Sequence, residues 1–598
     1  MERLRTYLKV KQALELLVDW SHRRLPGRQF LIAASIFVGF TTGLAAVLLK
    51  TLVHYIHVLI ELPAFNTWIS VSYFLLPTVG LLLTVTYIRK FNKGKIGRGA
   101  ANILYAIGRK SSILPKDQMY SHIFSSALTV GFGGSAGLES PIVSTGAAIG
   151  SNFARTYKIP YKERTLLLAC GAAAGIGATF NAPIAGVLFA IEVLLTDLYL
   201  AAFIPLLIAA ATGALCSEII LGDDILLSFN LQQKFSYYNV PAYMLLGVFC
   251  GLVSFYYAGM FLKTEKRMEK YKLNPYFKAM FGGILLGFML LVFPALFGEG
   301  YFGIKQMANS NGKGLFQGSL LEPYLNGGWL FVATLGVLLL KPVATALTVS
   351  SGGNGGNFAP SLLMGATTGF LFANALYYMG FDSIPITNFT LVGMAGILSG
   401  IFHAPLSAIF LIAEITGGYE LMIPLMMVSA LSFAVVKNLD PLSIEAKKLK
   451  QMGQALPQDK DTHVLNTLRT VQFINVQYTP LEAHMPLKYL VQCISQTVHD
   501  VFPVLKDEKL IGLVWVDPIR ELLFRPEMYM QVQVEELMQP VGVFVKPDEE
   551  MAEVMKKFDE HEVQFLPVLM GEKFMGFIHK KEVLEKYRSV LRLQNTEN

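Results

Sequence analysis

Phe30 to Leu49 is an unbroken uncharged apolar run, and Leu198 to Ser217, Tyr238 to Leu262 and Ala279 to Gly298 are others of the same kind. About 20 apolar residues in a helix cross the hydrocarbon core of a bilayer, and backbone within lipid must satisfy its own hydrogen bonds. A chain with several such runs is therefore confined to a bundle of membrane helices in a lipid bilayer. Composition agrees: the apolar fraction is 53% and the charged fraction 16%, against about 25% charged in soluble domains.

The first 28 residues differ. They carry Arg3, Arg5, Lys9, Lys11, Arg23, Arg24 and Arg28 with no long apolar core between them, which argues against a cleavable signal peptide. We read 1–28 as a basic amphipathic helix on the cytoplasmic face, following the positive-inside bias. The net charge of +7 then needs no nucleic acid to explain it. Cys170, Cys216, Cys250 and Cys493 lie far apart, so neither a disulfide framework nor a metal cluster is expected.

Hydropathy changes abruptly near residue 453. The polar stretch Gln451 to Thr462, with its Gly and Pro, suits a linker between a membrane domain and a tail of soluble type, rich in short β-branched runs and charged helical stretches.

The membrane part repeats itself. Phe180-Asn181-Ala182-Pro183 with Glu192 is matched by Phe402-His403-Ala404-Pro405 with Glu414, both displaced by 222 residues. Gly-Gly-Ser-Ala-Gly-Leu-Glu-Ser-Pro at 133–141 is matched by Gly-Gly-Asn-Gly-Gly-Asn-Phe-Ala-Pro at 352–360, displaced by 219. Duplicated halves with paired broken helices point to a transport site near the bilayer midplane. Broken backbone survives at membrane depth only inside protein or along a watery cavity.

The chemistry of the breaks is that of an anion site. Pro141 and Pro360 suit the first turn of a helix. The glycines before them allow a tight turn and leave amide N–H groups free at the helix start, a partial positive charge without a full countercharge. Close packing of a bundle explains either glycine segment alone; the pairing favours the anion site. Glu139 stands at one of these helix starts. A carboxylate there competes with an anion for the same amides and lets go when protonated, which describes a gate or a proton acceptor.

These motifs resemble the CLC family of chloride channels and proton-coupled chloride antiporters. Residues 137–141 match the family's Gly-Lys/Arg-Glu-Gly-Pro loop with Leu138 and Ser140 as variants, 356–360 its Gly-x-Phe-x-Pro loop, and 180–183 its Phe-Asn-Ala-Pro segment. The resemblance implies a mainly α, polytopic membrane protein with an inverted-repeat helical bundle over 29–453, assembled as a homodimer with one pathway per subunit. It implies that Glu139 is the gate and that backbone at Gly137, Gly356, Asn357 and Phe358 binds the anion, chloride or a similar small ion.

Three positions depart from the family. The inner glutamate of proton-coupled members is here Val193, which cannot relay a proton; this favours a passive channel, with a chloride/proton antiporter as the alternative. Arg98 replaces a family Ser, and Glu445 falls on the family's anion-binding Tyr. Either Arg98 and Glu445 pair across the inner mouth and narrow it, or Arg98 belongs to the basic loop and points into the cytosol. Glu192 and Glu414 are expected to satisfy backbone donors or interhelical contacts rather than bind substrate, and His403 to be a buried hydrogen-bonding residue rather than a metal ligand.

The tail repeats too. Phe502-Pro503-Val504-Leu505 with Gly512 returns as Leu566-Pro567-Val568-Leu569 with Gly576, displaced by 64. This is similar to an α/β pair of CBS domains, over 466–526 and 536–590. The family's nucleotide-binding Thr/Ser and Asp fall on Trp515 and Pro518, with Asp517 one place early, and on His579 and Glu582. A bound nucleotide is therefore not expected, and no other cofactor is implied. No His-Glu-x-x-His motif, paired Cys or nucleophile set suggests an enzyme. The expected place is the cell membrane, with the N-terminus and tail cytoplasmic.

Overall fold

The computed structural model describes residues 27–60, 69–94, 96–195, 200–222, 229, 235–271, 273–309, 312–325, 328–381, 384–452, 465, 468–497, 499–571 and 573–596. The expected N-terminal amphipathic helix at 1–28 thus lies almost wholly outside the described residues, as does the linker from 453. The chain divides into two compact units, 1–456 and 457–598.

The first unit is helical, and among its described residues eight helices are long and apolar enough to cross a membrane. In chain order the helices are α1 (Gly27–Ile60), α2 (Ile69–Phe91), α3 (Gly99–Arg109), α4 (Gln118–Gly131), α5 (Glu139–Thr156), α6 (Tyr161–Phe180), α7 (Pro183–Phe189), α8 (Leu200–Leu221), α9 (Val240–Lys270), α10 (Pro275–Val292), α11 (Tyr301–Ala308), α12 (Gly328–Ser350), α13 (Phe358–Tyr378), α14 (Ile386–Phe402), α15 (Pro405–Ile415), α16 (Met422–Leu439) and α17 (Ile444–Gln451). A π-turn over Ala190–Leu194 continues α7.

The duplication seen in the sequence is a duplication of contacts. α5 lies so close to α6 that a Cβ on Gly146 or Gly150 would meet the carbonyls of Gly171 and Leu167 at 2.1 and 2.0 Å. Gly365 and Gly369 on α13 stand in the same relation to Gly393 and Phe389 on α14, at 2.5 and 2.0 Å. Association within a bilayer relies on close packing rather than on exclusion of water, and small residues permit that approach.

The second motif pair ends α6 and α14. Asn181 and His403 both take left-handed backbone, at φ of 53° and 56°, and Pro183 and Pro405 begin the next helices. His403 differs from the sequence expectation: it is half-buried and sets its ring edge-on to Phe433 at 5.7 Å. Glu192 accepts N–H bonds from Leu406 (3.0 Å) and Ser407 (2.7 Å) at the start of α15. Glu414 reciprocates on Ile184 (3.0 Å) and Ala185 (2.8 Å) at the start of α7. Each half therefore caps a helix of the other, satisfying amides that a helix start leaves unpaired.

The second unit holds a four-stranded antiparallel sheet ordered β1 (Val501–Lys506), β2 (Lys509–Trp515), β4 (Lys573–His579), β3 (Phe565–Met570). Its halves match strand for strand. β1–β2 and β3–β4 carry bulges at Val504/Leu505 and Val568/Leu569, and Leu481 and Val545 bridge in parallel to Val504 and Val568. The hairpin turn at Asp507 and Glu508 has φ of 51° and 64°, the geometry that two-residue turns need between twisted strands. Gln477, His499, Asp500 and His579 line a cleft in this unit, and His579 Nδ1 stands 3.8 Å from Glu582.

Candidate anion-binding site

The two glycine-rich loops meet face to face. Gly137 N–H donates to the Gly356 carbonyl and Gly356 N–H to the Gly137 carbonyl, both at 2.9 Å. Upstream, Gly133 and Gly352 supply the left-handed turns, at φ of 91° and 105°, which cost a glycine little. Between these positions the support is reciprocal: Ser135 N–H donates to Thr348 Oγ1 (3.1 Å) and Asn354 N–H to Thr129 Oγ1 (2.9 Å). Every contact has its counterpart 219 residues away, so the starts of α5 and α13 are related by a local two-fold axis.

This bridge corrects one expectation. The amides of Gly137 and Gly356 are taken up by each other and cannot also hold an anion; these glycines fix the spacing of the helix starts. Asn357 and Phe358 keep N–H groups with no hydrogen-bond acceptor among the described residues. The Phe358 ring sits between Phe180 and Phe402, equivalent residues of the two repeats, at 5.5 and 5.4 Å. Asn357 is fixed from behind by Tyr257, whose hydroxyl donates to its side-chain carbonyl at 3.4 Å.

Glu139 is fully buried. Its Oε2 accepts the Ala359 N–H at 3.3 Å and its Oε1 the Tyr301 hydroxyl. The carboxylate thus lies on the next amide along the same helix start that carries Asn357 and Phe358. Around it stand charges that the sequence reading missed. Lys50, on α1, donates to the carbonyls of Ala178 and Thr179 at 2.9 Å each. Lys341, fully buried in α12, donates to Ser135 Oγ (2.9 Å) and to the carbonyls of Gly298 (3.3 Å) and Leu296 (3.4 Å). Glu299 interacts electrostatically with Glu139, Lys50 and Lys341. A lone ionisable residue in an apolar run was the signal available for Lys50 and Lys341; for Tyr301 there was none.

One cavity is lined by Glu139, Ser140, Gly356, Asn357 and Phe358 and also by Arg98, Glu445 and Lys448. The expected Arg98–Glu445 ion pair is not made. Arg98 turns both terminal nitrogens to the end of α12, donating to the carbonyls of Val349 (2.9 Å) and Gly352 (3.2 Å). Glu445 accepts the Ala101 N–H at 2.9 Å in the first turn of α3. Each charge is met by a helix end of opposite partial sign, which removes the drive for direct pairing. Nor does Arg98 project from a basic loop into solvent; it is half-buried against these carbonyls. Lys448 pairs with Glu265 at 3.0 Å and lies over the Phe261 ring. Val193 packs against the apolar core of the unit and is not among the cavity-lining residues.

The duplicated helix starts, the carboxylate between them and the cavity beyond define an anion-transporting membrane protein. The chain belongs to the voltage gated chloride channel family, whose model matches residues 79–437, and the CBS domain model matches 534–589. A ClcB-like chloride channel protein of Ralstonia nicotianae is 28% identical over 381 residues, 63% of this chain and 85% of that protein. The voltage-gated ClC-type chloride channel ClcB of Escherichia coli is 31% identical over 324 residues, covering 54% and 73%. Among solved structures, a slow cyanobacterial Cl-/H+ antiporter aligns with TM-score 0.61 and 22% identity over 72% of this chain and 98% of its own. A CLC-type fluoride/proton antiporter gives 0.57 and 22% over 69% and 96%. A eukaryotic CLC transporter gives 0.60 and 17% over 92% and 97%, so the shared fold extends into the tail.

Proposed function

We propose that this protein exchanges chloride or a similar small anion for protons, with Glu139 as the moving gate. The observation that carries the reading is the position of the Glu139 carboxylate on the Ala359 amide, beside the open N–H groups of Asn357 and Phe358. An anion arriving at this helix start and the ionised carboxylate compete for the same partial positive charge. Protonation removes the carboxylate's claim, so anion entry and proton uptake become alternatives at one place. Two structures of the same fold come from proteins described as proton-coupled antiporters. Arg98, Lys448, Glu265 and Glu445 form the cytoplasmic mouth in this reading, with Arg98 and Glu445 where the family has hydroxyl donors.

The second reading, a passive channel, is favoured by Val193, which leaves the family's inner proton position without an acid. In either case the protein works as a homodimer in the cell membrane, N-terminus and tail cytoplasmic, and the CBS pair regulates it without a required cofactor.

Proteoliposomes decide the matter. An outward chloride gradient should drive proton uptake at a fixed ratio, and Glu139→Gln should uncouple the two fluxes. Chloride efflux with no proton movement in the native protein would establish the channel instead.

A further inference from the structure

Resting on the reading of Glu139 as the gate, we propose that Tyr301 is a positioning residue that latches the gate shut. Its hydroxyl is the one side-chain donor hydrogen-bonded to the carboxylate among the described residues. Both partners are buried, where a charge-assisted bond meets no competing water.

Local backbone holds the latch in place. Tyr301 is the first residue of α11 and follows Gly300 at φ 94°, where a Cβ would also strike Leu363 Cδ2 at 2.7 Å. The loop before it is tied to the glycine motif through Lys341, which joins the Leu296 and Gly298 carbonyls to Ser135. The Tyr301 ring stands edge-on to Phe180 at 6.3 Å, so its hydroxyl is aimed by packing that does not need the hydrogen bond. Glu139 therefore has two tethers on different elements: an amide of α13, shared with the anion site, and a phenol that the anion does not displace.

Charged and titratable groups facing Glu139 are Lys50 from α1, Glu299 from the loop before α11, and Tyr301 itself, with Lys341 of α12 behind Glu299. The phenol is an uncharged donor among these groups and provides direction rather than charge. An O–H donor favours the ionised carboxylate over the protonated one. Removing it makes protonation, and hence opening, easier at a given pH.

The test uses Tyr301→Phe in the full chain, reconstituted in liposomes, with chloride efflux measured across pH. The ring and its Phe180 contact remain. A bond of this kind corresponds to a roughly ten- to a hundredfold change in equilibrium, so the pH of half-maximal flux should rise by about one to two units. Glu139→Gln should give flux independent of pH, and the double variant should match Glu139→Gln alone, because a latch has no effect without its gate. A Tyr301→Phe midpoint equal to the native one, with Glu139→Gln pH-independent, overturns the latch and leaves the gate standing. A uniform loss of flux at every pH, deepened in the double variant, assigns Tyr301 to structure only and also overturns it. Native pH dependence in Glu139→Gln removes the gate itself.

Discussion

Gly137 and Gly356 occupy equivalent places in the two halves, yet adding one methyl group to each should have opposite consequences. At Gly137 a Cβ would lie 2.1 Å from Glu139 Oε2 and 3.0 Å from the Ala359 nitrogen. The nearest obstacle is the far end of a flexible side chain. Restoring ordinary contact requires the carboxylate oxygen to retreat by roughly 1.3 Å, which breaks its 3.3 Å bond to the Ala359 amide. Charge-assisted bonds contribute about 1.5–3 kcal/mol, so Gly137→Ala should shift the gate toward its displaced position by roughly ten- to a hundredfold. At Gly356 the obstacle is the Ser140 Cβ at 2.3 Å, on a side chain with no freedom to withdraw it. Gly356→Ala must separate the two helix starts and break both 2.9 Å bonds of the bridge. We expect Gly137→Ala to fold and to pass chloride in liposomes at pH values where the native protein is closed, and Gly356→Ala to yield little folded protein. A Gly137→Ala protein with native rate and native pH dependence would refute the placement of the carboxylate.

Two further predictions follow from the same geometry. Glu192→Gln and Glu414→Gln should each lower stability by about 1–2 kcal/mol, the range for losing an N-terminal cap, and by similar amounts, as measured by unfolding of the purified protein. A large difference between them would contradict the reciprocal capping. Arg98→Ala and Glu445→Ala should be additive in chloride flux within about 0.5 kcal/mol of apparent barrier; strong non-additivity would restore the direct ion pair.

What the sequence revealed follows from the kind of signal each feature leaves. Tight turns and helix starts demand Gly and Pro at fixed spacing, so the 133–141 and 352–360 loops and the Phe-x-Ala-Pro segments could be paired by offset alone. Glu192 and Glu414 stand at the same offset in apolar helices, which marked them as structural but left backbone donors and interhelical contacts as alternatives; the structure shows the backbone donors. The amides at Gly137 and Gly356 were misassigned, since a sequence does not show that two loops satisfy each other. Arg98 and Glu445 looked like partners because they replace two neighbouring donors of the family, but a helix end neutralises each. Lys50, Lys341 and the Glu299-Gly300-Tyr301 stretch come from separate parts of the chain, and only folding gathers them around Glu139.

The reciprocal capping by Glu192 and Glu414 bears on how such a protein could have arisen. A single half, made alone, has a half-buried carboxylate without its amide donors and a helix start without its acceptor. Two copies of that half, laid antiparallel, supply each other's missing group with no change of sequence. Inside one polypeptide the two halves therefore meet as the two members of a symmetric pair do, each contributing the same patch to the contact.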